Sequence, residues 1–418
     1  MTLAIKTRDI SLELALILLL YSTTCFYTLD AQTAYIVMNV LAGALVIYHC
    51  RRLMFKLTKY WAWIVILFGV YFFNGFLRLK AGDFNWDRLA ISFFQCVLYY
   101  IIFFEMLDKP NLEMRLAEAF GVAALLCIIT MLLQEGGFFG RELRSVGSTL
   151  SGNVNTVGMN LGIMSMFLVF YYGKSKKLFV LVFVMIVMAI MLLTGSKKTL
   201  VYIVINVFLV YASSKDKNIG RLALVLLVIA GFYLIFGVEY FYELIGARIV
   251  DMLGQMGAHL KNAHYSHSTE SRMYMISEGF QIWLKKPILG GGWFYFWSKT
   301  KSGYEYSHCN VTELLCSFGL VGTAVFYYPH IAFLKKFRQM KRVYPKNVMQ
   351  FALALIVMAL LIDWMAVTFS SFSSCYIPAI LAMVLLDKYR WRQTDRSKGL
   401  LWTQDGKAQN DLKEDKNE

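Results

Sequence analysis

The stretch YSHCNVTELLCSFGLVG, residues 306–322, places His308, Cys309, Asn310 and Glu313 directly before a long apolar run. An imidazole exchanges a proton near neutral pH. A carboxylate five residues on, one turn into a helix, lies close enough to orient the ring or share its proton. Ionisable groups are expensive in hydrocarbon, so this pair marks either a site or a helix cap at a membrane surface. Cations gather in three further stretches. GRELRSVGSTLSGNVN (140–155) carries Arg141 and Arg144, with Asn153 and Asn155 at its end. TGSKK (194–198) carries Lys197 and Lys198, and the segment 240–308 carries Arg248, Arg272, Lys285 and Lys286. Such groups bind anionic oxygens and stabilise negative charge on a departing group. Beside membrane helices, a lipid-linked phosphate is the fitting anion. In KKPILGGGW, Pro287 ends a helix, while Gly290 and Gly292 allow positive φ and close approach to another group.

The elements that must hold these residues are membrane helices. Of 418 residues, 58% are hydrophobic and 17% charged, and the mean hydropathy is +0.53; a soluble domain is more polar. The apolar residues form twelve runs, near 10–27, 33–49, 60–77, 88–107, 115–134, 154–172, 178–194, 199–213, 222–239, 309–328, 347–363 and 367–386. Their length suits a helix crossing roughly 30 Å of hydrocarbon, where every backbone polar group must be satisfied internally. Period-two alternation is absent, which argues against a β-barrel. The expected fold is all-α, a polytopic bundle of about twelve helices. The first run is read as a retained helix, since no small-residue cleavage site follows it.

The net charge of +15 is distributed by topology. Basic residues fill alternate loops, from Arg51 and Arg52 through Lys174, Lys176 and Lys177 to the cluster Lys335–Lys346. The positive-inside rule makes those loops and both termini cytoplasmic, so nucleic acid is not implied. It also puts the three site-bearing stretches on the outer face. The chain divides into helices over 1–239, an outer loop with amphipathic helices over 240–308, more helices over 309–387 and a disordered cytoplasmic tail over 388–418. Seven cysteines show no CxxC spacing and read as small buried residues. His259, His264 and His267 match no helix-face metal spacing, so no metal or other cofactor is expected. Plainer roles stand beside the chemical ones: Lys197 and Lys198 as snorkelling side chains, Gly158 and Gly162 as helix-packing residues, Asn153 and Asn155 as N-caps. Glu13 reads as an interior hydrogen-bonding residue, and Asp363 and Trp364 as interface anchors.

Four stretches in register resemble the O-antigen polymerase/ligase family. RSVGSTLSGNVNTVGMNLG is similar to its Gly–Asn signature and LLTGSKKTL to its short outer turn TGSR. ESRMYMISEGFQIWLKKPILGGGW is similar to its Ser–Arg motif, helix and P-x-x-G-x-G; YSHCNVTELLCSFGLVG resembles HN-x-x-L…GLxG. The resemblance covers roughly residues 140–325. It implies a GT-C-like glycosyltransferase that moves a sugar chain from undecaprenyl diphosphate to an acceptor hydroxyl, with inversion and without metal. It implies that Arg272 contacts the carrier diphosphate and His308 stands at the reaction centre. Lys197 falls where the family has arginine, with Lys198 the alternative beside it; Cys309 stands where asparagine is commoner, with Asn310 one residue later. Polymerisation of lipid-linked repeat units is the leading reading, with a flippase and a chain-length regulator as partners beside the lipid-linked oligosaccharide and membrane lipid. Ligation to lipid A–core is the alternative within the family. A transporter or flippase is the alternative class, though transporters usually show related halves and polar sites at the midplane.

Overall fold

A computed structural model describes residues 2–26, 32–49, 58–76, 86–135, 154–212, 229, 231–233, 235–239, 242–247, 250, 267–301, 303–369, 373–397, 400–402 and 408–410. The helices are α1 (Thr2–Cys25), α2 (Gln32–His49), α3 (Lys59–Phe76), α4 (Trp86–Met106), α5 (Leu112–Glu135), α6 (Val154–Ser175), α7 (Leu178–Leu193) and α8 (Lys197–Ala212). They continue as α9 (His267–Trp283), α10 (Tyr295–Lys299), α11 (Asn310–Met340), α12 (Lys346–Asp363) and α13 (Ile377–Ser397). The described part of the run 222–239 is mostly helical. Among the described residues, six helical segments are long and apolar enough to cross a membrane: Gln32–His49, Leu89–Met106, Leu112–Gln134, Val154–Ser175, Asn310–Met340 and Lys346–Asp363. Ile10–Cys25, Leu178–Leu193 and Lys198–Tyr211 are shorter apolar helices.

The bundle is built around α6, whose residues from Thr156 to Phe170 are all buried. It packs against α5, α7 and α8. The Phe120 and Phe167 rings stack at 3.7 Å between α5 and α6. Gly158 and Gly162 admit α8: a Cβ there would lie 2.4 Å from Thr199 Cγ2 and 2.4 Å from the Tyr202 ring. These glycines are the small residues that let two membrane helices close.

One end of the bundle is tied by charge. Glu13 of α1 pairs with Arg115 of α5. Glu113 binds Lys174 at 3.0 Å and Asn347 at 3.0 Å, linking α5, α6 and α12. Asp108 pairs with Lys388 and Arg392 of α13. Those pairs, with Arg392 over the Tyr344 ring at 5.0 Å, correct the expectation of a tail disordered from residue 388. The helix is held through Ser397, and Leu400–Trp402 then pairs antiparallel with Ala408–Asn410. The candidate site lies at the opposite end, where α6, α8 and α11 begin and α12 ends.

Candidate active site

The site is organised by a break in α11. Gly319, at φ 64 and ψ −164, interrupts the helix between Asn310 and Met340. A break strands carbonyls before it and N–H groups after it, which cannot be left bare in a bundle core. The segment after α9 supplies four of the partners. Gly291 and Gly292 N–H donate to the Cys316 and Ser317 carbonyls, each at 2.8 Å. Leu320 and Val321 N–H donate to the Pro287 and Ile288 carbonyls at 2.9 and 3.1 Å. The glycines are required by this contact: a Cβ on Gly290 would sit 2.5 Å from the Ser317 carbonyl, and one on Gly319 would sit 2.3 Å from the Ile288 oxygen. The group that Gly290 and Gly292 approach is the α11 backbone.

The clamp fixes α9 against the first turns of α11. Gly279 meets Thr312 so closely that a Cβ would lie 2.3 Å from its Cγ2, and Cys316 Sγ donates to the Gly279 carbonyl at 3.1 Å. Met275, Ile282, Tyr295, Phe296 and Cys316 form a small core there. Arg272 sits two turns before Gly279 on the same helix face, and so faces the loop that leads into α11.

That loop presents His308. The residue is only part-buried and takes a left-handed backbone, φ 57, a conformation that costs a side-chain-bearing residue about 1–2 kcal/mol. Its hold is Glu313, 4% exposed, whose Oε2 accepts the Ser307 N–H at 2.9 Å. The Ser307 hydroxyl donates to the Cys309 carbonyl at 3.1 Å. Glu313 therefore secures the turn beside the histidine, where sequence spacing had it orienting the ring or sharing its proton. The His308 ring packs edge-on against Tyr306 with centroids 4.4 Å apart.

Two helices converge electrostatically on this imidazole. Partial burial, then the Arg272 guanidinium and the Lys198 ammonium, pull His308 down to about 4. Arg272 also acts on Lys198 and on Tyr306. No ion pair with Lys198 occurs among the described residues. At neutral pH the centre is thus a neutral imidazole flanked by two like charges from α8 and α9.

Lys198 is positioned by the α7–α8 turn, where Gly195 takes φ 61. Ser196 Oγ donates to Asn155 Oδ1 at 2.7 Å, which docks the turn on the first turn of α6. Asn155 is therefore a brace for the turn, neither an N-cap nor a residue seen at the imidazole. Lys197 begins α8 beside it. Asn310, fully buried, accepts the Thr368 and Phe369 N–H groups at 2.8 and 2.9 Å and lies 3.4 Å from the Tyr327 hydroxyl. Asp363 completes that network, accepting from Tyr327 at 2.8 Å and Thr368 at 2.5 Å. At 4% exposure it is a buried tie, not the interface anchor its helix-end position indicated; Trp364, 57% exposed, keeps that character. Arg141, Arg144, Asn153 and Arg248, and with them His259 and His264, lie outside the described residues.

Sequence reasoning missed Tyr306 and Ser307 at the centre, and Gly319 beneath it. Only Gly319 carried a signal, as a glycine inside an otherwise apolar helical run. Residues 181–327 match a protein-family model described as O-antigen ligase. The matched stretch contains Lys198, Arg272, His308, Glu313 and the whole kink clamp. No curated protein matches the chain.

Proposed function

We propose that the chain is a multi-pass inner membrane enzyme of the O-antigen polymerase/ligase family, whose ligase model matches residues 181–327, and that it polymerises undecaprenyl-diphosphate-linked oligosaccharide repeat units into a surface polysaccharide. The observation that carries the reading is the convergence of Arg272 and Lys198 on a neutral His308. In this reading the two cations hold the carrier diphosphate, with Lys197 the alternative to Lys198 in sequence. The acceptor hydroxyl gives its proton to His308 as its oxygen attacks the anomeric carbon. The bond from that carbon to the diphosphate oxygen breaks, the configuration inverts, and the leaving diphosphate's charge is met by the cations. No metal is used in this scheme. The centre lies on the outer face, in a GT-C-like bundle of about twelve spans with both termini cytoplasmic and residues 240–308 as the outer loop. A flippase supplies the repeat units, and a chain-length regulator limits the product.

Ligation to lipid A–core is the second reading, favoured by the description of the matching family. The test is a transfer assay with purified protein and undecaprenyl-diphosphate-linked repeat units, wild type beside His308→Ala and Arg272→Ala. A product ladder lost in both variants supports polymerisation at this centre. A single transfer onto added lipid A–core, without a ladder, replaces it with ligation. No transfer to either acceptor overturns both and moves transport of a lipid-linked sugar to the front.

A further inference from the structure

We propose that the elbow between α9 and α10, residues 284–289, is a lipid-binding surface that dips into the bilayer on the His308 side. Its apolar side chains lie among acyl chains and its two lysines on phosphate headgroups. Leu284, Ile288 and Leu289 are 65%, 63% and 69% exposed, and Lys285 and Lys286 between them are also exposed. Loose packing is not the cause, because the same helix buries Met275 and Ile282, and Trp283 Nε1 donates to the Pro287 carbonyl at 2.9 Å. Lys286 is further held over the Tyr295 ring at 5.3 Å.

The depth of the elbow follows from the kink clamp. Its Pro287 and Ile288 carbonyls bind Leu320 and Val321 of α11, whose own side chains are 53% and 46% exposed. The apolar stretch of α11 ends at Lys335. Counting back about twenty residues, enough to cross roughly 30 Å of hydrocarbon, reaches the region of residue 315. Residues 320 and 321 therefore lie on the hydrocarbon side of the boundary, and the elbow lies beside them. Asn310 to Phe318 precede the Gly319 break, so the first turns of α11 and His308 stand on the aqueous side of the elbow. The elbow's apolar surface is continuous with the lipid-facing side of α11. Adjacent lysines rimming an apolar surface at this level suit anionic headgroups over a second protein surface.

The inference rests on α11 crossing the membrane and not on the transfer chemistry, so it survives if the assay above fails. The test uses full-length protein in nanodiscs of phosphatidylethanolamine and phosphatidylglycerol, with a nitroxide label at Leu289→Cys, at Ile288→Cys and, as the aqueous reference, at Glu305→Cys. Unsubstituted protein, carrying only its native cysteines, gives the background. Collision with oxygen should exceed collision with a soluble nickel chelate at 288 and 289, and the order should reverse at 305. Chelate accessibility at 288 and 289 equal to that at 305 would overturn the proposal. Low collision with both reagents would also overturn it, since protein would then be covering the elbow. The paired positions guard against one substitution disturbing the fold.

Discussion

At the scale of single residues, the decisive quantity is the protonation state of His308. Partial burial and the two cations hold it near 4, so the base form is fully present at neutral pH. Cations oppose protonation, so removing one makes the ring easier to protonate. The acid limb of kcat/KM, which reports the free enzyme, should therefore stay flat from pH 7.5 to 5.5, where an ordinary histidine near 6.5 would lose about tenfold. In Arg272→Gln the limb should move upward; a wild-type limb at or above 6.5 would contradict the depressed base. Replacing His308 by alanine should slow transfer about 10²–10⁴-fold, the usual worth of a general base. Glu313 is a positioning residue in this account, and its two substitutions separate positioning from proton transfer. Glu313→Gln keeps an acceptor for the Ser307 N–H and should keep most of kcat. Glu313→Ala leaves that buried donor bare, at about 1–3 kcal/mol, and should lose both stability and rate. Equal loss in the two variants would instead make the carboxylate's own proton essential.

At the scale of elements, the clamp between residues 287–292 and the α11 kink is what brings Arg272 to His308. It fails first at its glycines. Gly290→Ala and Gly319→Ala each drive a Cβ into backbone at 2.5 and 2.3 Å while holding positive φ, and should cost about 3 kcal/mol. Gly303→Ala, at φ 76 with open space around it, should cost only the backbone term of about 1–2 kcal/mol. Gly69→Ala, with nothing within 4 Å, should be neutral. Thermal unfolding in detergent ranks the four, and equal midpoints would refute the clamp. The same element shows where the sequence stops being informative. The long apolar helices announced themselves through local apolar runs, because crossing lipid demands it residue by residue. The kink could not, since the partners of Cys316, Ser317, Leu320 and Val321 come from residues some thirty positions earlier. Asp363 was misjudged for the same reason: Tyr327 and Thr368 fold over it from distant and looping chain. His308 and Arg272 were legible by type and position. Choosing between adjacent Lys197 and Lys198 was not, because it depends on how α8 is rotated against α6.

At the scale of the whole molecule, the two ends of the bundle use charge oppositely, and that difference predicts its orientation. One end spends its carboxylates on Lys and Arg, through Glu13, Asp108 and Glu113. These ties are modest singly, but they join α1, α5, α6, α12, α13 and the turn after α4. The surplus lysines and arginines of the loops at that end resist translocation, so it should remain cytoplasmic. The other end carries Arg272 and Lys198 beside His308, where the proposed carrier diphosphate would meet the extra positive charge. Lys174, half-exposed and paired with Glu113, and Glu305, exposed in the loop before His308, report the two ends. A membrane-impermeant maleimide should label Glu305→Cys in intact spheroplasts, and Lys174→Cys only after lysis, above the background of the native cysteines. Labelling in the reverse order would place the imidazole and its cations in the cytoplasm. A lipid-linked donor presented on the outer face could not then reach them, and the transfer reading would fall with the topology.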